Sequence, residues 1–141
     1  MAAAICSRVG SLPCFTVSSP RTRSIARNTL IWWLGTRTVR YMTRNHLPGG
    51  VDLEAFGRPL FAETTFEGVG FGLGFSVVQD NVANRVLSSV GEFGWGGAAS
   101  TASLVDPAEE ITMLFFTQLL PSSTHPIRSQ LKQLVYQALV D

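Results

Sequence analysis

Glycine alternates with large apolar residues between Gly70 and Val78, and this period of two constrains the fold more than any other feature of the sequence. Residues two apart lie on the same face of a β-strand, so the pattern predicts a strand with one glycine face. Glycine weakens a strand interior unless another part of the chain comes close to it. We therefore predict a strand over this segment whose glycine side is closely covered.

Further strands and one helix are predicted downstream. Arg85 to Val90 is short and β-prone, and Ile111 to Thr117 is an apolar run of the length typical of a buried strand. From Ile127 to Leu139 apolar residues recur at three- and four-residue steps, which is the spacing of an amphipathic helix. These patterns predict an α+β fold, with an antiparallel sheet of about three to four strands and a C-terminal helix packed on one face.

The N-terminal part of the chain differs in charge from the rest. Residues 1–50 hold seven of the eleven basic residues, whereas all ten acidic residues lie from Asp52 onward. We predict a basic leader over 1–36, disordered or unrelated to the remainder, and one domain portion over 37–141. Such a leader is typical of an organelle transit peptide or of a truncated gene that begins in unrelated sequence, and we favour the second. Localisation therefore stays open, with the cytoplasm favoured over an organelle.

Composition also argues against several classes of site. The apolar run Leu30 to Leu34 is much shorter than the roughly 20 residues of a membrane span. Both cysteines, Cys6 and Cys14, lie in the leader, and no Cys and His cluster has the spacing of a zinc site. The scattered arginines identify no groove-reading surface. We predict no metal, no cofactor, no nucleic acid and no membrane partner.

Four features in succession resemble one family: the Gly70 to Phe75 alternation, the triplet Trp95-Gly96-Gly97, the turn Val105-Asp106-Pro107 and the strand Ile111 to Phe116. Their order is similar to the C-terminal end of class C β-lactamase-like esterases and related serine hydrolases of the penicillin-binding-protein superfamily. The resemblance covers 38–141. It implies an incomplete β-lactamase-like fold.

In that family a third signature triplet lies on the strand beside the active site. The resemblance gives this place to Trp95, Gly96 and Gly97, as substrate-binding residues, with Trp95 in the pocket wall. It gives Ala98 the backbone amide that donates to the oxyanion formed when a carbonyl is attacked. The substrate implied is a small acyl ester, amide or lactam. The triplet alone also fits a glycine-rich strand whose tryptophan only fills a core.

The family mechanism also needs a Ser-x-x-Lys and a Tyr-x-Asn, both upstream of the triplet. The sequence contains a Ser-x-x-Lys only at Ser129 to Lys132, downstream of the triplet and inside the predicted helix. Lys132 is the only lysine, and neither Tyr41 nor Tyr136 begins a Tyr-x-Asn. We therefore expect a truncated β-lactamase-related serine hydrolase that is inactive alone. The alternative is a non-catalytic binding or regulatory module that pairs with a full-length relative through an exposed sheet edge.

Other candidates for chemistry are weaker. We predict surface positions for His46 and His125, and solvated side chains for Glu109 and Glu110. No Gly-x-Ser-x-Gly elbow occurs, and the glycines of 70–74 do not have the spacing of a nucleotide loop.

Overall fold

Six antiparallel strands form one sheet in the computed structural model, which describes residues 34–57 and 65–139 and the backbone of 14–18. The strands are β1 (Cys14–Ser18), β2 (Val69–Phe71), β3 (Ser76–Val78), β4 (Phe93–Gly96), β5 (Ala102–Asp106) and β6 (Ile111–Phe116). The helices are α1 (Thr36–Met42), α2 (Leu53–Phe56), α3 (Asn81–Asn84) and α4 (Ile127–Gln137), with 3₁₀ turns at Pro48–Gly50 and Ser122–Thr124. The sheet order is β1-β6-β5-β4-β3-β2. The predicted α+β class is confirmed.

The prediction of three to four strands was too low. The glycine-rich segment is a hairpin of two short strands, because the chain turns between Gly72 and Phe75, where the Gly72 amide donates to the Phe75 carbonyl oxygen at 2.7 Å. Gly74 has a φ of 99° in this turn, a conformation that L side chains rarely adopt. Strand β1 is a further strand that we did not predict, and it lies in the leader. The rest of 1–33 lies outside the described residues.

The strand predicted over Arg85 to Val90 was wrong. Asp80 instead caps helix α3, its Oδ1 accepting from the amides of Val82 and Ala83 at 2.9 and 3.1 Å. Arg85 then adopts a left-handed φ of 56°, which ends the helix and leads into a loop. In this loop the Asn81 side chain donates to the Ser88 carbonyl oxygen, and the Ser88 hydroxyl donates to the Val86 carbonyl oxygen, both at 3.0 Å, so local side-chain bonds outweigh the β-propensity of the run.

The predicted close cover of the glycine face is confirmed. A Cβ on Gly70 would overlap the Asn45 side chain, and one on Gly72 would overlap the Met42 carbonyl oxygen at the end of α1. The Leu73 amide donates to that same carbonyl oxygen at 2.9 Å. The segment after α1 therefore packs directly on the hairpin, which fixes β2 and β3 at one end of the sheet.

Asn45 and His46 also occupy part of the outer edge of β2. The Asn45 Oδ1 accepts from the Phe71 amide at 3.1 Å, and the His46 amide donates to the Phe71 carbonyl oxygen at 2.8 Å. These bonds use backbone groups that an added strand would need. Pairing with a full-length relative through an exposed sheet edge stays a prediction, and β1 is the other edge strand of the sheet.

Helix α4 covers the face of the sheet formed by β5 and β6. Leu104 and Met113 are opposite each other in the sheet register, and they form a core with Ile111 and Val135. This arrangement confirms the predicted helix on one face. The predicted apolar stripe was partly wrong, because Leu134 is 64% exposed.

Candidate functional site

The triplet stands where β4 ends and turns towards β5. Trp95 and Gly96 are the last residues of the strand, and Gly97 opens a turn in which the Ser100 amide donates to the Gly97 carbonyl oxygen at 3.1 Å. Ser100 is buried, and its hydroxyl donates to the Leu119 carbonyl oxygen at 2.9 Å. The backbone amide and the side chain of Ser100 therefore both hold the turn that carries Ala98.

Glycine at position 96 lets helix α4 approach the end of β4. A Cβ on Gly96 would lie 2.6 Å from the Arg128 Cζ, and the Arg128 guanidinium also donates to the Gly97 carbonyl oxygen. A Cβ on Gly97 would lie 2.5 Å from the Thr101 Oγ1. A side chain at position 96 would therefore displace the Arg128 guanidinium, and one at position 97 the Thr101 hydroxyl.

Trp95 does not fill the core, since it is 47% exposed. Its ring meets Phe71 edge to face, with 5.1 Å between the centroids, and lies nearly parallel to Phe66 at 6.4 Å. The alternative in which this tryptophan only fills a core does not fit that exposure. The ring forms a wall with one free side.

A cleft of about 750 Å³ runs beside the triplet, and Trp95, Gly96, Gly97 and Ala98 all line it. This volume lies within the range of small-molecule pockets. Its apolar part is lined by Leu47, Leu53, Phe56, Phe66 and Phe71. Its polar part is lined by residues including Ser76, Glu92, Arg128, Ser129 and Lys132. The structure therefore brings the four predicted site residues together in one concave surface.

The backbone amide of Ala98 is a hydrogen-bond donor on this surface that the fold does not use. Ala98 is exposed at the first position inside the turn, and no acceptor among the described residues is bonded to its N–H. The neighbouring Gly97 amide, by contrast, donates to the Thr101 carbonyl oxygen at 3.0 Å. An oxygen atom bound in the cleft could accept from Ala98 without breaking a bond of the fold.

A cluster of four polar groups lies at the other end of β4, where we predicted nothing. The Lys132 Nζ lies 2.7 Å from the Glu92 Oε1, and the Tyr136 hydroxyl lies 2.8 Å from the Glu92 Oε2. The same hydroxyl is hydrogen-bonded to the Asp106 Oδ2. Glu92 and Asp106 are only 5% and 1% exposed, so both carboxyl groups are removed from solvent.

The pKa values of Glu92 and Asp106 are shifted in opposite directions from their ordinary values. Burial raises the pKa of Glu92, and this effect exceeds the lowering by Lys132 and Tyr136. Burial also opposes the ionisation of Asp106, but hydrogen bonds from Tyr136, Ser89 and the amides of residues 108 and 109 outweigh it and lower its pKa. Burial, followed by the contacts with both carboxylates, raises the pKa of the Tyr136 phenol, which therefore keeps its proton.

Ser129 and Lys132 line the cleft but do not act on each other. The Ser129 hydroxyl donates to the Pro126 carbonyl oxygen at 3.0 Å, while the Lys132 ammonium is paired with Glu92. A lysine that activates serine has to reach the serine hydroxyl. This geometry agrees with the prediction that the pair is not a nucleophile and its base.

The remaining candidates lie apart from the cleft. His46 is half-buried rather than at the surface, with its Nε2 lying 2.8 Å from the Tyr41 carbonyl oxygen. His125, Glu109 and Glu110 are exposed, as predicted. Within 34–57 and 65–139, no three His, Cys, Asp or Glu residues are grouped as a metal site would require. No helix in the described part of the chain has the length and apolarity needed to cross a membrane.

No protein-family model matches the sequence, and no curated protein matches it either. Solved structures do match. One is EstCE1, a hydrolase with promiscuous acyltransferase activity, at 22% identity and a TM-score of 0.56, over 75% of this chain and 27% of that one. Another is a mutant of the simvastatin synthase LovD from Aspergillus terreus, at 20% identity and a TM-score of 0.56, over 72% of this chain and 28% of that one.

These likenesses establish the fold. The chain has part of the β-lactamase-like fold of these two proteins, as the resemblance predicted, and it spans little more than a quarter of their length. Activity, substrate and partners do not follow from similarity at this level of identity.

Proposed function

We propose that this chain forms one wall of the acyl-binding site of a β-lactamase-related serine hydrolase. The observation that carries the proposal is the cleft beside Trp95 to Ala98, which is lined by a half-exposed indole and by a residue whose backbone amide has no acceptor among the described residues. The fold shared with a hydrolase and an acyltransfer enzyme supports the same assignment. We further propose that this chain is a truncated form of such an enzyme.

The proposed division of roles follows the chemistry of the cleft. The Ala98 amide donates to the carbonyl oxygen of the substrate and stabilises the negative charge that develops on it. Trp95 and the apolar residues near it bind the acyl group, since a half-exposed indole offers a large apolar surface at little entropic cost. Gly96 and Gly97 bring the backbone close to the bound group.

The apolar lining indicates the class of substrate. Phe56, Phe66 and Phe71 with two leucines give the cleft a largely apolar lining, to which Arg128 and Ser129 add polar groups. We propose a small ester with an apolar acyl group as the substrate, with an amide or a lactam as the alternative. The site we propose uses no metal and no cofactor.

We propose that this chain binds such a substrate without cleaving it. The serine and lysine of its only Ser-x-x-Lys are engaged with Pro126 and Glu92, so no described group activates a nucleophile. Trp95 can report binding if the leader tryptophans Trp32 and Trp33 are changed to phenylalanine. We expect p-nitrophenyl acetate to quench the remaining fluorescence saturably, with no nitrophenolate release above that of a Ser129→Ala control.

Two outcomes would contradict different parts of this proposal. If Trp95 fluorescence does not respond to p-nitrophenyl acetate, to longer p-nitrophenyl esters or to nitrocefin, the proposal of an acyl-binding site is wrong. If turnover appears and disappears in Ser129→Ala, the claim of inactivity is wrong while the site remains. A Trp95→Phe variant in the same background is the matched control for the signal.

A further inference from the structure

Four polar groups join helix α4 to the sheet between the cleft and the core, namely two buried carboxyl groups and two half-buried side chains of the helix. Glu92 precedes β4, Asp106 ends β5, and Lys132 and Tyr136 lie one turn apart on α4. The Tyr136 hydroxyl contacts both carboxyl groups at once, and the Lys132 ammonium contacts Glu92. The contacts span 30 to 44 residues of sequence, so they hold distant parts of the chain together.

The number of protons decides how these contacts are made. A phenol has one proton, and it can donate to only one of the two carboxyl groups that its oxygen contacts. If both carboxyl groups were ionised, the other contact would place a carboxylate oxygen against the phenol oxygen with no hydrogen between them. One carboxyl group that keeps its own proton removes this conflict, because it donates to the phenol oxygen.

Charge leads to the same result. Lys132 supplies one positive charge, and two ionised carboxylates, on residues that are only 5% and 1% exposed, would leave the cluster with a net charge of −1. One added proton makes the cluster neutral. The other donors to Asp106 are the Ser89 side chain and the backbone amides of residues 108 and 109.

We infer that Glu92, Tyr136, Asp106 and Lys132 form a proton-holding site, in which Glu92 is a protonated carboxylic acid at neutral pH. Glu92 donates to the Tyr136 oxygen, and Tyr136 donates in turn to the ionised Asp106. Asp106 is the ionised member because two backbone amides, at 2.8 and 3.3 Å, also donate to it. This inference rests on the geometry of the cluster and goes beyond the proposed function, since it holds whether or not the cleft binds an acyl group.

Glu92 and Lys132 also line the cleft, so the proton is held at its wall. The cluster is a positioning device, because it fixes α4, and α4 carries Arg128 to the Gly97 carbonyl oxygen. The direction of its pH dependence follows from Glu92. A carboxyl group with a raised pKa in the fold contributes stability below its ordinary pKa, and that contribution is lost as pH rises through the raised value.

Infrared spectroscopy of the full chain tests the inference, because a protonated carboxylic acid has a carbonyl band apart from those of carboxylates. At neutral pH, where exposed acids are ionised, we expect one such band in the wild type and none in Glu92→Gln. We also expect the band to be lost in Asp106→Asn, although Glu92 is still present, since the remaining Lys132 and Glu92 charges then balance. Glu109→Gln should keep the band.

The wild-type spectrum alone is decisive if a variant fails to fold. Absence of the band in folded wild-type protein at neutral pH would overturn the inference, as would a band that persists in Glu92→Gln. A band that persists in Asp106→Asn would show that burial of Glu92 holds the proton without the second carboxyl group, which would overturn the shared site. Circular dichroism of each variant establishes that the fold is intact.

Discussion

The two ends of strand β4 differ in exposure and in how their polar groups are bonded. At its start Glu92 is 5% exposed and in contact with an ammonium and a phenol, whereas at its end Trp95 is 47% exposed and Ala98 has an unbonded amide. At the first end, hydrogen bonds from Lys132 and Tyr136 attach α4 to Glu92, whereas the second end has two glycines beside the cleft. Polar groups that are fully bonded stabilise the fold, while those left unbonded at a cleft are available to a ligand.

Removing the Glu92 side chain at the closed end should have the largest effect on stability. We expect Glu92→Ala to lower the free energy of unfolding by about 3–5 kcal/mol, because it leaves both the Lys132 ammonium and the Tyr136 hydroxyl without their hydrogen-bond partner. Urea unfolding followed by circular dichroism measures the change. Glu109→Ala is the control, since that exposed side chain should change stability by less than about 0.5 kcal/mol. Equal effects of the two variants would contradict the contrast between the ends.

Glycine substitutions along β4 should sharpen the contrast. A Cβ at Gly94 would overlap the Ser103 carbonyl oxygen and lie 3.0 Å from the Leu104 Cα, so the backbone of β5 has to shift. We expect Gly94→Ala to cost about 1–3 kcal/mol. A Cβ at Gly96 meets only the end of the Arg128 side chain, which can move.

Gly96→Ala should therefore cost less stability than Gly94→Ala, while displacing the guanidinium from the Gly97 carbonyl oxygen. Thermal unfolding of both variants side by side makes the comparison. A larger loss in Gly96→Ala would mean that Arg128 is fixed as firmly as backbone, and the open end would then be part of the rigid core.

The sequence predicted those parts of the molecule that depend on local pattern. The period of Ile127 to Leu139 predicted helix α4, the apolar run at Ile111 predicted β6, and the triplet predicted the residues that meet at the cleft. The hairpin within Gly70 to Val78 was missed because alternation of glycine and apolar residues does not mark where a glycine takes a positive φ.

The buried cluster could not be predicted from pattern, because its members come from three distant segments. Lys132 and Tyr136 are spaced four residues apart on one helix, which is a usable signal for a shared face, but they read as the polar side of an amphipathic helix. Their partners Glu92 and Asp106 became neighbours only through the antiparallel pairing of β4 and β5. Long-range pairing of polar groups leaves no local periodicity.

The most direct test of the account is whether the Ala98 amide binds an oxyanion. Hexanoate is the probe, since its carboxylate oxygen stands in for the oxyanion and its chain for the acyl group. Proline at position 98 removes the N–H, and its fixed φ suits the second position of the turn from Gly97 to Ser100. Calorimetry should show saturable binding by the wild type and Ala98→Gly, and affinity at least about tenfold weaker in Ala98→Pro at an unchanged melting temperature. Equal affinity in Ala98→Pro, or no binding by the wild type, would contradict the central claim.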